Sequence, residues 1–283
     1  MFACRFFLFH LYESPKFLLS QGRQVEAVAV VHGIARHNKT HTWLTEDILD
    51  EVGGHIDFTE TSGPTAAELS KRKMSAFSFE VIRPLFKDRR LGLCTALLWF
   101  IWAAIGMGYP LFNAFLPQYL QHSGKGEIPV SANTVYEDFA ITSIVGLPGS
   151  ILACWTVNLP YIGRRGTMAI STLFSGIFLY LFTLSSSSGY QTFCSSLEAL
   201  FQNVMYGVLY AYTPEVFPAP NRGTGTGIAS LLNRLTGLCA PVIAAKIGDI
   251  HPAAPIYGAG ALYLAAFVAM CLLPIETRGK QSL

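Results

Sequence analysis

LGLCTALLWFIWAAIGMGYPLFNAFLPQYLQ, residues 91–121, carries no charged side chain. As a helix rising about 1.5 Å per residue it is long enough to cross a hydrocarbon core about 30 Å thick. Five more apolar runs follow, at residues 139–159, 167–186, 190–213, 224–247 and 255–273. Six spans in one chain read as an all-α membrane protein, a six-helix transmembrane bundle over residues 91–274.

The basic residues are sorted around those runs. Of the 20 Lys and Arg, twelve precede Leu91; Arg164 and Arg165 separate the second and third runs, Arg222 the fourth and fifth, and Arg278 and Lys280 follow the sixth. Alternating crossings put all of these on one side, against Lys125 and Lys246 on the other and Arg234 inside the fifth run. Basic residues stay on the cytoplasmic face, so the N-terminal region and the tail, residues 275–283, are expected in the cytosol. A plasma membrane and a vacuolar or vesicular membrane both fit this pattern.

Composition narrows the function classes. The chain is 51% hydrophobic and 13% charged, with about half the charge of an average soluble protein. Its basic residues are not interleaved with aromatics along a polar face, which argues against a nucleic-acid partner. Cys4, Cys94, Cys154, Cys194, Cys239 and Cys271 all lie in apolar segments without CxxC spacing and read as small buried side chains. The spans hold no HExxH, GxSxG or paired Asp. No catalytic residue, metal or cofactor is therefore expected, and an enzyme is the least favoured class.

Residues 2–12 are apolar but only about half a span long, interrupted by Arg5 and without a small-residue cleavage site. They fit an interfacial helix or the end of a longer span. Residues 13–90 read as a region of short helices. Val25, Val28, Val31 and Ala35 recur at helical steps over residues 22–38. Thr45 is a candidate N-cap ahead of Glu46 and Asp47, where the helix dipole favours negative charge, and Gly53 and Gly54 end that piece. Residues 59–78 are polar, and residues 80–90 are amphipathic, with Val81, Leu85 and Phe86 suited to the membrane surface. The loop 122–138 is the longest outer one, and residues 185–189 form a tight turn that makes the third and fourth spans neighbours.

Charge within a span costs about 2.5–3.5 kcal/mol on insertion scales and so marks a cavity or a partner. Glu198 lies about 12 Å below the outer surface and Arg234 about 15 Å above the inner one, at about 1.5 Å per residue. The two share a depth. They could pair as packing elements, or either could hold a solute or a proton. Glu198, Gln202, Tyr206 and Tyr210 are four apart, hence on one helix face, a stripe suited to lining a water-filled path. Asn113 is a further candidate ligand in the first span, among Trp99, Trp102 and Tyr109, and Tyr119 suits the interface. Pro110, Pro117, Pro148 and Pro241 interrupt the spans, and membrane helices tolerate such kinks where neighbours compensate. YTPEVFPAPNRGTGTG, residues 212–227, joins the fourth and fifth spans. Glu215 and Arg222 can pair across a turn stiffened by Pro214, Pro218 and Pro220, and Gly223, Gly225 and Gly227 let the next helix start close to a neighbour. This reads as a conformational latch, because its glycine spacing fits no nucleotide loop.

Four segments resemble the major facilitator superfamily. ESPKFLL at residues 13–19 is similar to the sequence after the sixth span of sugar-porter-like members. IGRR at residues 162–165 resembles the basic loop between spans eight and nine, with Asn158 near the place of the usual acidic residue. TPEVFP followed by RGTGTG resembles the loop between spans ten and eleven of synaptic-vesicle-2-like and organic-ion-transporter-like branches, and IETRGK at residues 275–280 the tail motif. The resemblance implies the C-terminal half of that fold, with residues 1–12 a remnant of span six, residues 13–90 the central cytosolic loop, and an N-terminal half or a second membrane chain as partner. It implies a secondary active transporter of a small polar or organic solute in the lipid bilayer, with H+ as the coupling ion resting on Glu198. By position Asn113, Glu198, Gln202, Tyr206, Asn233 and Arg234 would bind substrate, and Arg164, Arg165, Glu215 and Arg222 would gate. A non-transporting membrane partner or sensor, or an inactive fragment, is the alternative.

Overall fold

The computed structural model of the chain describes residues 12–20, 23–53, 82–114, 116, 132–159, 162–185, 187–248 and 253–277. The expectations for residues 2–11, 59–78, 80–81, Pro117, Tyr119 and residues 278–283 lie outside these. Every regular element among the described residues is helical. The chain divides into two units, Met1–Ser78 and Phe79–Leu283.

The first unit contains α1 (Pro15–Ser20), α2 (Gln24–His37) and α3 (Glu46–Gly53). Leu18, Ala27 and Val28 are buried where α1 meets α2. α2 ends as Lys39 turns left-handed (φ 53°) and the Thr40 N–H reaches back to the Ala35 carbonyl, which satisfies a carbonyl that the helix end leaves open. His32 Nε2 lies 2.9 Å from the Leu44 carbonyl and ties the following loop to α2. α3 starts at Glu46, directly after the expected cap.

The second unit opens with a 3₁₀ turn, Arg83–Phe86, followed by α4 (Arg89–Asn113), α5 (Ala132–Thr156), α6 (Gly163–Phe182), α7 (Ser188–Val216), α8 (Arg222–Gly248) and α9 (Ala254–Cys271). By length and composition α4, α6, α9, the Glu137–Thr156 part of α5 and the Arg222–Ile247 part of α8 are apolar enough to cross a membrane. α7 is the longest, at 29 residues. It is more polar because Gln191, Glu198 and Gln202 interrupt it, and all three are buried.

Three local expectations change. Leu85 is fully buried in the core rather than lying on a surface, because the turn at Pro84 folds back onto the start of α4; only Phe86 stays half exposed, edge-on to Trp99. α5 begins at Ala132, so residues counted as outer loop are helical. RGTGTG forms the first turns of α8, and Pro214 lies inside α7 rather than in the turn.

Neighbouring helices follow the order α8, α4, α9, α6, α7, α5, with smaller contacts of α7 with α8 and α4, of α8 with α9 and of α5 with α6. Lipid tails are as apolar as leucine, so close packing and interhelical hydrogen bonds decide such a bundle. α4 supplies two of these bonds: Trp99 Nε1 donates to the Gly225 carbonyl at 3.1 Å, and Trp102 Nε1 to Thr213 Oγ1 at 3.0 Å. Two glycines allow the closest approaches. A Cβ on Gly106 would stand 2.5 Å from the Asn233 carbonyl oxygen, and one on Gly149 would stand 2.3 Å from that of Leu200. Gly225 sits beneath the Phe217 ring, whereas Gly223 and Gly227 meet nothing within 4 Å. One of the three turn glycines therefore serves close packing within this chain.

Candidate functional site

The stripe expected on α7 forms one wall of a cavity of about 460 Å³, within the usual range for small-molecule sites. α4 contributes Tyr109 and Asn113, α5 contributes Asp138 and Ser143, and α8 contributes Asn233. Of the six expected substrate ligands, Asn113, Glu198, Gln202, Tyr206 and Asn233 all line this space. Arg234 does not. Successive helix residues point about 100° apart. Asn233 turns inward and donates from Nδ2 to the Trp102 carbonyl at 3.1 Å, which leaves Arg234 exposed. Among the described residues no ion pair joins Arg234 to Glu198.

Glu198 is 3% exposed, and its Oε1 has no hydrogen-bond partner among the described residues. One helical turn on, Gln202 donates from Nε2 to the Tyr263 hydroxyl of α9, and both residues are buried. This bond fixes the amide that faces the cavity. A Gln202→Leu substitution would leave the phenol without that partner in an apolar setting, a loss of about 1–3 kcal/mol. A correspondingly lower unfolding temperature in detergent, with Tyr263→Phe relieving the double variant, is the expected result.

The aromatic part of the lining is contiguous. Tyr206 meets Tyr109 edge-to-face at 6.5 Å and Tyr210 in a stack at 6.1 Å, and Tyr210 in turn meets Trp102 at 4.9 Å. Asp138 escaped the sequence reading because the apolar run begins only at Phe139. Its Oδ1 accepts from Thr192 Oγ1 at 2.9 Å, which joins α5 to α7 within the cavity lining. Its signal in the sequence was helical phase: Asp138 and Thr142 share a face, and Thr142 Oγ1 lies 3.5 Å from Ser195 Oγ.

Three of the expected gate residues, Arg164, Arg165 and Glu215, lie where α6 begins and α7 ends, at the other end of α7 from Thr192. Arg164 pairs with Glu215, so the ion pair bridges the start of α6 and the end of α7. Arg164 also donates from Nη1 to Thr277 Oγ1 at 3.2 Å. Arg165 donates to the Leu273 and Cys271 carbonyls, each at 2.6 Å, at the C-terminus of α9. Glu276 was not among the candidates. Its carboxylate accepts the backbone N–H of Arg164 and of Arg165, each at 3.2 Å, and so caps α6 from across the chain. Gly163 makes room for it: its φ of 62° suits glycine, and a Cβ there would stand 3.0 Å from the carboxyl carbon. The Tyr212 hydroxyl donates to the Ile275 carbonyl and adds α7 to the cluster. Arg222 opens α8 as a half-buried residue.

Residues 139–282 match the Major Facilitator Superfamily. Over its full length the chain is 39% identical to an uncharacterized MFS-type transporter of Schizosaccharomyces pombe, covering 52% of that protein. It is 40% identical, again over its full length, to MFS siderochrome iron transporter 1 of Ceriporiopsis subvermispora, covering 54% of it. The fold is similar to the solved structure of the proton:xylose symporter XylE bound to 6-bromo-6-deoxy-D-glucose, with a TM-score of 0.61 and 18% identity over 96% of this chain and 53% of that one. The chain thus spans about half the length of the relatives it matches.

Proposed function

Because the chain belongs to the major facilitator superfamily, as the C-terminal half of its fold, we propose that it forms part of a secondary transporter that moves a small polar or organic solute by alternating access. The observation that carries this reading is the cavity: a buried carboxylate, amides and tyrosines converge on one space inside a bundle of apolar helices. Charge and amide are expensive in a membrane interior, so their convergence marks a solute path. In such folds the solute sits near the midplane between repeats, and two bundles rock about it.

In this reading Asn113, Glu198, Gln202, Tyr206 and Asn233 contact the solute. The cluster of Arg164, Arg165, Glu215 and Glu276 holds one end closed and releases when the bundle turns, with Arg222 beside it. That end faces the cytosol, by the charge sorting, and residues 13–90 form the cytosolic connector. Glu198 is the group able to carry a proton if transport is proton-coupled, and the Arg234 side chain takes no part. The Ceriporiopsis relative is named for siderochrome iron and the solved neighbour for xylose. These are unlike solutes.

The test is uptake by the purified protein in proteoliposomes, with a panel of radiolabelled organic cations, anions and sugars. Saturable uptake of at least one class is expected. A Ser143→Trp variant, which fills the cavity, is expected to reduce it at least tenfold while still folding. Uptake that persists in that variant would remove the cavity from the path, and no uptake of any class would favour a non-transporting partner protein.

A further inference from the structure

The cavity is lined by two carboxylates, Asp138 and Glu198, and among the described residues by no Lys, Arg or His. Asp138 is half-buried and accepts a hydrogen bond from Thr192. Glu198 is 3% exposed, its Oε1 has no hydrogen-bond partner among the described residues, and Arg234, the cation nearest to it in depth by sequence, is exposed and does not line the cavity. A carboxylate removed from water needs a compensating charge or proton. The same space offers the faces of Tyr109, Tyr206 and Tyr210, the last 63% exposed. Aromatic faces of this kind offer contact area to the body of a bound solute, as the linings of small-molecule sites do. Cα positions of Glu198 and Tyr206 are about 12 Å apart along α7 at about 1.5 Å per residue, so carboxylate and rings suit the two regions of one extended solute.

We propose that this cavity selects an organic cation, a quaternary or protonated amine, with Glu198 as counter-ion to the nitrogen and the Tyr109–Tyr206–Tyr210 group holding the rest of the molecule. This rests on reading the cavity as the solute site and adds the sign of the solute's charge. Because one carboxylate cannot hold a proton and an ammonium ion at once, cation binding and protonation of Glu198 are mutually exclusive, and cation entry displaces any proton held there.

Three probes of nearly one shape separate charge from size: choline, its neutral isostere 3,3-dimethyl-1-butanol, and the anion 3,3-dimethylbutanoate. Tetraethylammonium adds a larger cation. Binding is measured on the full chain in nanodiscs, by the ligand-induced rise in unfolding temperature and by its concentration dependence. At least one of the two cations is expected to bind at least tenfold more tightly than the neutral and anionic compounds. Glu198→Gln is expected to remove that preference. Should Glu198→Gln fail to fold, Tyr210→Ala on the exposed part of the lining is expected to weaken cation binding about threefold to tenfold, with Tyr210→Phe close to wild type. Equal binding of the three isosteres, tighter binding of the anion, or an unchanged preference in Glu198→Gln would overturn the assignment and leave the transport reading in place. No binding of either cation would overturn it as well. Failure of the transport reading shows separately, as absence of uptake for every solute class.

Discussion

Replacing Gly149 with alanine is expected to lower the stability of the bundle by about 3 kcal/mol. The added methyl would stand 2.3 Å from the Leu200 carbonyl oxygen and 3.2 Å from the Asn203 Cβ. The first obstacle is backbone, which no rotamer change relieves, so α5 must lift away from α7. Overpacking costs about 1–3 kcal/mol, occasionally more, and a rigid obstacle puts this site at the upper end. At about 2–4 °C per kcal/mol for a chain of this size, the unfolding temperature in detergent should fall by about 6–12 °C. Gly227→Ala is the matched control: it lies on α8 with nothing within 4 Å. There alanine only improves helix propensity, by about 0.5–1 kcal/mol. A similar response at both positions would show that the α5–α7 contact is looser than the structure has it.

Removing the Arg165 side chain is the second large effect. The guanidinium makes two short hydrogen bonds to carbonyls at the end of α9, where the helix dipole also favours positive charge. Hydrogen bonds to charged groups contribute about 1.5–3 kcal/mol each, and the site's partial exposure reduces this. Arg165→Ala should therefore cost about 2–4 kcal/mol. Glu276→Ala should cost less, because it removes one cap of α6, about 1 kcal/mol. Both residues sit in one network, so a double-mutant cycle should show coupling of about 1 kcal/mol or more. Strict additivity would mean that the Arg165 and Glu276 contacts act independently and do not form one latch.

The six long helices were legible because charges are scarce within their apolar runs and gather between them, a signal that holds whatever the packing. Helix starts were less legible where polar residues extend a helix beyond its apolar part. α5 runs back to Ala132 through Glu137 and Asp138, and hydropathy alone hid Asp138 from the candidate site. The three glycines of RGTGTG were expected to let the next helix start close to a neighbour; α8 does start there, at Arg222, but of the three only Gly225, beneath Phe217, makes such a contact. The stripe from Glu198 to Tyr206 followed from four-residue spacing and falls on one cavity wall. Asn233 and Arg234 could not be separated by depth, since they differ by one residue, and only their angle about the α8 axis distinguishes them. For the latch the sequence paired Glu215 with Arg222 because they are close along the chain. The ion pair of Glu215 with Arg164 is a long-range contact that local spacing cannot reveal.

The order of neighbours around the bundle also sets a schedule for its synthesis. α7 packs on both α5 and α6, the two helices made just before it, so these three can assemble as soon as α7 emerges. α4 is made first and packs mainly on α8 and α9. Its hydrogen bonds from Trp99 to Gly225 and from Asn233 to Trp102 span 126 and 131 positions. At about 5–20 residues per second, α4 waits about 6–26 s on the ribosome's clock before either partner exists. Throughout that interval the glycine face at Gly106 and the two indole N–H groups must be sheltered by lipid, by the insertion machinery or by another helix. Slowing elongation beyond residue 216 should therefore lengthen the period in which the nascent chain is open to degradation, with no change to the finished protein.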